Sequence, residues 1–349
     1  MYDKKGALEL SVNVVFAGLI GVVVFILALS FIMSNMQSAD KERKAEFANS
    51  FVGALRASYE EDYFSNIISF TEQSSIRVEC KDLFFDDEAA SLTDMIVFSP
   101  SEFSTTQLGT SSERIEMPFY ISNAFYLYPQ LNIFLYCEDC DSTSDIPEIY
   151  ALLSSLWDSP TLITGEEFAG IHIIGQGDSM TLNQISQEED KKKIIVVLEN
   201  ESEGFNYNFN YKNLSFNENL FDTDSILVGN ISYNNEIYPF IGEEMLFGAI
   251  LSDDLDTYKC NVEKFFEMFN STLRVYEERY SLMSGNPSYP SSCLTLESLT
   301  TQAFSNLKEE ITNANNNLDY ESFYDLAVSI NYLEEVARYA EMESCPSLY

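Results

Sequence analysis

VNVVFAGLIGVVVFILALSFIM, from Val12 to Met33, is the stretch on which the architecture turns. Its 22 residues carry no charged side chain, and no charge occurs anywhere between Glu9 and Asp40. At about 1.5 Å of rise per residue a helix of this length covers roughly 33 Å, the thickness of a bilayer's hydrocarbon core. The stretch predicts a membrane-spanning helix over residues 10–39, behind a short basic flank, residues 1–9. A cleaved secretory signal is the competing reading, but its apolar region runs only about 7 to 15 residues and closes on an Ala-x-Ala-like site. SFIMSNMQSAD supplies no such site, so the helix is expected to stay.

Beyond the helix the chain is acidic. The formal net charge is -37 over 349 residues. Residues 1–56 hold 6 Lys and Arg against 5 Asp and Glu, so the excess of acid falls on the rest. Such a surface repels phosphate backbones and anionic headgroups, which argues against nucleic acid as a partner and favours divalent cations, basic partners, or simply solubility. With 46% hydrophobic residues the chain has ample material for a large core.

Lys4 and Lys5 precede the helix, while Lys41, Arg43 and Lys44 follow it, and a count of cations alone would place the large domain inside. The short N-terminal flank, the acidity and an even number of cysteines weigh the other way, because long domains translocate largely regardless of charge. An extracytoplasmic domain is expected. Sequons at Asn200, Asn213, Asn230 and Asn270 do not decide the matter in a chain rich in Asn, Ser and Thr.

The stretch KKGALELSVNVV resembles the N-termini of archaeal pilin-like proteins with class III signal peptides, in which a short basic segment ends at a small residue, a Glu follows, and the hydrophobic helix is kept as a filament core. Lys4, Lys5, Gly6, Ala7 and Glu9 match those parts. No Gln follows the small residue, and Glu9 falls two or three positions after a cut at Ala7 or Gly6. The resemblance implies processing at Gly6 or Ala7 and self-association through the helix. FGAILSDDLDTYKCN and ESCPSLY also resemble segments of uncharacterised archaeal membrane-anchored surface proteins; that likeness implies an archaeal source and brings no function.

KERKAEFANSFVGALRASYEEDY keeps helical period, with Phe47, Phe51 and Leu55 in line and Ala48, Val52 and Tyr59 beside them. It predicts an amphipathic stalk helix over 40–74. Short apolar runs then follow, SIRVEC, DMIVFSP, QLNIFLYC, AGIHIIGQG, KKIIVVLE, FNYNFNY and DSILVGNISY, which read as strands of a mixed-sheet domain over 75–250. Helical stretches at Pro147–Trp157 and Leu182–Asp190 suggest a βαβ crossover and a partly parallel sheet. From Thr257 the pattern returns to helix. Tyr258, Val262, Phe265, Phe266, Phe269, Leu273 and Tyr276 line one face; Leu296, Leu299, Ala303, Leu307 and Ile311 a second; Phe323, Ala327, Ile330, Leu333, Ala337 and Ala340 a third, after an Asn-rich turn, NANNNLDY. A C-terminal helical bundle over 251–349, packed on the sheet, completes an α+β (mixed α/β) fold.

Six cysteines, Cys80, Cys137, Cys140, Cys260, Cys293 and Cys345, suit a disulfide framework, and spacing cannot select the pairing. A Cys260–Cys293 bond would staple the helical part, leaving Cys345 to Cys80 or to the Cys137-Glu-Asp-Cys140 motif. Cys137 and Cys140 read as loop disulfide cysteines, bonded within the motif or each to a distant partner, since a zinc site lacks further ligands when His172 is the only histidine. His172 sits in an apolar run, where a hydrogen-bonded core role is commoner than catalysis.

Of the carboxylate runs Asp86–Asp87–Glu88, Glu138–Asp139–Asp141–Asp145 and Asp253–Asp254–Asp256, the second is the best Ca2+ candidate, although it lacks the spacing and loop glycine of an EF-hand. GQGD at Gly175–Asp178 lacks the third glycine of a phosphate loop, and no nucleophile elbow, zincin or Walker motif is present. The expectation is a non-enzymatic, membrane-anchored extracytoplasmic surface protein, with no cofactor beyond a candidate Ca2+ and with the bilayer and other envelope proteins as partners. The alternative is an anchored hydrolase or ligand-binding receptor, which a gathering of buried carboxylates with raised pKa would favour.

Overall fold

A computed structural model describes residues 41–60, 63–136, 169–174, 192–198, 212–216, 226–284, 292–343 and 345. The apolar stretch of residues 10–39 with Gly6, Ala7 and Glu9, the helical readings at 147–157 and 182–190, FNYNFNY, GQGD, Cys137, Cys140 and the Glu138–Asp145 acids lie outside these. Among the described residues no helix is long and apolar enough to cross a membrane.

The fold is mixed α+β. Helix α1 (41–57) closes in a 3-10 turn, Ser58–Glu60. Next come β1 (Tyr63–Val78), β2 (Asp82–Phe85), β3 (Glu88–Ser91), β4 (Ile96–Phe98), β5 (Glu102–Glu116) and β6 (Tyr120–Tyr128). They form one six-stranded sheet in the order β3-β2-β1-β5-β6-β4, antiparallel except where β4 runs parallel to β6. The second sheet holds β7 (Leu131–Tyr136), β8 (Ala169–Ile174), β9 (Lys192–Leu198), β10 (Lys212–Phe216), β11 (Val228–Tyr233) and β12 (Glu236–Ile241), in the order β12-β11-β10-β9-β7-β8. Its β8-β7-β9-β10 portion is parallel, as the crossover pattern suggests, while β11 and β12 pair antiparallel.

Turn chemistry fixes two of the hairpins. Phe85 pairs with Glu88 and Tyr233 with Glu236, leaving the two-residue loops Asp86-Asp87 and Asn234-Asn235. All four loop residues take positive φ, between 48° and 74°. That is the geometry a tight hairpin demands, and short Asx side chains tolerate it best among residues with a β-carbon. The acid run at Asp86 to Glu88 is therefore turn chemistry, with Asp86 Oδ1 also accepting a hydrogen bond from the Ser75 amide at 2.8 Å.

Four helices follow: α2 (Gly242–Leu251), α3 (Leu255–Ser284), α4 (Ser292–Asn317) and α5 (Tyr320–Met342). Helix α2, GEEMLFGAIL, is apolar nearly all round, the mark of a helix enclosed on every side. It touches β4, β5 and β6 of the first sheet and β9, β11 and β12 of the second. The main core gathers on it, joining Phe98, Ile115 and Tyr126 to Ile231, Tyr238 and Phe240 and to the inner faces of α3, α4 and α5. The opposite face of the first sheet has its own core, in which Ala48, Phe51, Val52 and Leu55 of α1 cover Ile76, Val78, Leu83, Phe85, Phe125 and Leu127. Helix α5 contacts β11 and β12, so the C-terminal helices are packed onto the sheet.

Several expectations need correction. The stalk helix does not reach residue 74, nor do the strands begin at 75, because Tyr63–Val78 is β1, hydrogen-bonded to β5 from Tyr63↔Glu113 to Arg77↔Glu102. Ile67 faces one core and Ile68 and Phe70 the other, which is a strand's period of two buried on both sides. Strands β2, β3, β5, β6, β10 and β12 and helix α2 are additional to the pattern read from sequence. NANNN is the last turn of α4 and not a loop; the reversal is Leu318 at φ 49° followed by Asp319, the N-cap of α5. Finally, Cys260 does not meet Cys293. Cys80 pairs with Cys260 and Cys293 with Cys345, with Cα atoms 5.7 and 5.6 Å apart. The reason is geometric: the start of α3 lies along the rim of the first sheet, whereas the start of α4 lies beside the end of α5.

Candidate functional site

Three groups of polar side chains stand out against the apolar interior. The first is where α1 is fixed to its sheet. The Arg56 guanidinium forks onto Asp94, with Nε to Oδ2 at 3.0 Å and Nη2 to Oδ1 at 2.7 Å, and Nη2 also donates to the Ser91 carbonyl at 3.1 Å. That hydrogen bonding holds the Asp94 carboxyl below its usual range. Tyr59 shares a 2.8 Å hydrogen bond with Ser122 and packs its ring, tilted by 58°, against Phe125. An exposed ion pair adds about 0 to 1 kcal/mol; the buried stripe of α1 carries the stability, and the charges set its register.

The second group is on the first turns of α3. Lys264 is 8% exposed. Its ammonium donates to the carbonyls of Cys80, Leu92 and Met95, the last two at 2.9 Å. Three acceptors match the three N–H bonds of an ammonium. Burial pushes the Lys264 pKa down to about 8, against the pull of Asp94 and Asp82, so the side chain is charged at neutral pH. One turn earlier Asn261 Oδ1 accepts the Val97 amide at 3.0 Å, and Asp253 Oδ1 accepts the Ser101 amide at 2.6 Å. Both amides belong to the β4 edge and its exit. Asp254 caps α3 through the Thr257 amide at 2.8 Å. Asp253 and Asp254 of this run serve backbone amides.

The third group is carboxylate. Glu113 on β5 is electrostatically coupled to Glu243 and Glu244 in the first turn of α2, and Tyr126, which feels all three, donates from its hydroxyl to the Glu244 carbonyl at 2.9 Å. Burial raises Glu113 to about 7, with Glu243 adding repulsion. Burial likewise raises Glu244 to about 8, with Glu113, Glu243 and Glu116 adding to it. Glu243, the most exposed of the three, is raised by the part of it that is buried. The site starts at Gly242, whose φ of 78° suits glycine, and Glu244 folds back over it: a β-carbon there would stand 2.8 Å from Glu244 Oε2. A carboxyl held protonated near neutral pH is a hydrogen-bond donor and a candidate general acid.

Among the described residues no cluster of three or more His, Cys, Asp or Glu is arranged to hold a metal ion. The Ca2+ candidates Glu138, Asp139, Asp141 and Asp145 lie outside them. His172 stands in β8 opposite Phe134, its side chain beyond the described ones. Neither Lys264 nor the Glu113, Glu243 and Glu244 group was singled out by sequence. The signal for Lys264 was a cation next to Phe265 and Phe266 on a helix that also buries Asn261; the glutamates carried none that set them apart from the other acids in the chain. No protein-family model, no curated protein and no solved structure matches the chain.

Proposed function

We propose that this chain is a single-pass, membrane-anchored surface protein whose acidic α+β domain lies outside the cytoplasm and has a structural, adhesive or envelope-assembly role without enzymatic chemistry. The observation that carries the reading is the docking of α1. The helix that follows the apolar stretch lays Ala48, Phe51, Val52 and Leu55 on the first sheet, so an anchor at residues 10–39 would be joined to the domain by a packed helix and not by a loose tether. The two cysteine pairs support an oxidising compartment.

The test is made on protein from native cells. Fractionation with membranes resistant to high salt, together with cysteines that resist maleimide until reduced, is the expected result. Free thiols would place the domain in the cytosol and sink the outside assignment. The mass of the mature N-terminus resolves the anchor's use: a start at Ala7 or Leu8 supports pilin-type processing and self-association, and an intact Met1 supports a simple anchor.

A second reading, an anchored hydrolase or ligand-binding receptor, is favoured by one observation, the raised carboxyls of Glu113, Glu243 and Glu244. A hydrolytic activity abolished by Glu244→Gln and by Glu113→Gln, in chains that still fold, would replace the first reading with this one.

A further inference from the structure

Cys80 and Cys260 are 180 residues apart in sequence, and the bond between them joins the β1–β2 connection to the second turn of α3. A random coil brings such distant thiols together rarely. Cys260 has a companion on its own helix face: Lys264, four residues on, is one turn away. The Lys264 ammonium grips the carbonyl of Cys80 itself, along with those of Leu92 and Met95 from the β3–β4 connection. Asn261 on the same helix and Asp253 just ahead of it hold the Val97 and Ser101 amides. None of these contacts involves sulfur, and together they seat the rim of the first sheet on α3.

We infer that Lys264 is the positioning residue for this disulfide: it sets Cys80 against Cys260 before oxidation and so selects this pair among the alternatives that six cysteines allow. Among the described cysteines the competing thiols are held elsewhere. Cys293 and Cys345 are buried together with Ala340 and Leu296 at the end of α5. Linkage makes the argument quantitative, because whatever the closed bond contributes to seating Lys264, the seated Lys264 contributes equally to closing the bond. With glutathione disulfide as oxidant, one cysteine thiolate attacks it and releases a glutathione thiolate. The second cysteine thiolate then attacks the mixed disulfide and releases another. Two protein thiols are oxidised, one glutathione disulfide is reduced to two thiols, and the protons lost by the cysteines go to the released glutathione. Lys264 enters through the effective concentration of the second attack.

The experiment equilibrates the full chain in glutathione redox buffers, quenches with acid and maleimide, and quantifies both pairs by peptide mass spectrometry. In Lys264→Met the effective concentration for Cys80–Cys260 falls roughly 10- to 100-fold, in line with coupling between residues in direct contact. Cys293–Cys345 stays within about threefold, and refolding from the reduced chain gives non-native partners for Cys80 or Cys260. Lys264→Gln keeps two N–H donors and recovers part of the loss; it also serves if the Met variant does not fold. Ile231→Val, which disturbs the core on the second sheet and leaves Lys264 and β4 intact, leaves the ratio of the two pairs unchanged. Equal losses at both pairs, no loss at either, or a shifted ratio in Ile231→Val would each overturn the assignment.

Discussion

The same substitution, Gly to Ala, is expected to act with opposite sign at two helical positions of this protein. On an open helix surface it stabilises by up to about 1 kcal/mol, since alanine loses less backbone entropy. Gly53, exposed on α1, has nothing within 4 Å of where a β-carbon would sit, so Gly53→Ala should realise most of that gain. Gly248, in the middle of α2, is different. A β-carbon there would stand 2.6 Å from Cγ and Cδ2 and 2.7 Å from Cδ1 of Phe98. To reach ordinary contact near 3.4 Å, α2 and β4 must separate by about 0.8 Å. The Phe98 ring cannot retreat, being wholly buried between Tyr126 and Tyr258 at centroid distances of 6.2 and 5.7 Å. Overpacking of this kind costs about 1 to 3 kcal/mol, against which the propensity gain of about 1 kcal/mol is set. Gly248→Ala is therefore destabilising by up to about 2 kcal/mol net, while Gly53→Ala is stabilising. Urea unfolding followed by tryptophan fluorescence and far-UV dichroism measures both, the two midpoints moving in opposite directions at unchanged slope. In Gly248→Ala with Phe98→Leu, the smaller side chain relieves the clash, and the double variant is more stable than the two single costs would sum to. If Gly248→Ala stabilised the protein as Gly53→Ala does, the close approach of α2 to β4 would be wrong.

Acid and alkali should also act asymmetrically. The folded pKa values of Glu113 and Glu244, about 7 and about 8, lie above the ordinary 4.5, so the stability tied to their neutral forms is complete below about pH 4.5 and is lost as the pH rises through 7 to 8. Discounted for their partial exposure, the change is about 1 to 2 kcal/mol. Melting temperature should fall between pH 5 and pH 8 and should fall less in Glu244→Gln; an identical profile in the variant would show that the carboxyl is not held neutral. Asp319 has the opposite sign. Hydrogen bonding with the Ser322 side chain, and with the Ser322 amide at 2.9 Å, lowers its pKa, so its contribution is present above the ordinary 3.8 and is lost as pH drops through the folded value. Asp319→Ala should cost about 1 kcal/mol at neutral pH, measured by urea unfolding, and much less at pH 2. Replacing Cys293 and Cys345 by Ser opens a loop of 52 residues and should cost up to about 4 kcal/mol. Calorimetry would register that as a lower melting temperature, and an unchanged value would dismiss the pairing.

Sequence made the helical part of this fold legible and the sheets only partly so. Helices α3 and α5 bury long stripes at one spacing, and Phe265, Phe269, Ile330 and Leu333 are all in the core where the period puts them. The first sheet is covered by α1 on one side and by α2 and α3 on the other, so its strands lose the alternation of apolar and polar that marks a half-exposed strand. In β6 eight successive residues from Ile121 to Tyr128 are buried, Ser122 and Asn123 among them. Strand β5 presents the reverse difficulty: Ser111 and Ser112 are buried yet read as loop residues. Helix α2 is short and apolar all round, and such a segment has no period to separate helix from strand. The cysteine pairing depended on which helix start lies at which sheet rim, and that is tertiary geometry with no local trace.

One short segment ties these parts together. Ser91 to Met95, the connection from β3 to β4, is held from both sides by cations. Arg56 of α1 bonds Asp94 and the Ser91 carbonyl, and Lys264 of α3 bonds the Leu92 and Met95 carbonyls. Lys264 also pulls on the Asp94 charge, so the two helices share one electrostatic joint. If α1 continues into a membrane anchor, as proposed, a load on the anchor enters the domain along the Phe51 and Leu55 stripe and at this joint. It then passes through Lys264 to a helix covalently fixed by Cys260 to Cys80. Packing along the sheet spreads such a load over many weak contacts, whereas the joint concentrates it on five hydrogen bonds backed by a disulfide. A domain anchored at one end gains most from a covalent bond placed at the point where its anchoring helix meets the rest of its core, and the Cys80–Cys260 bond occupies that position.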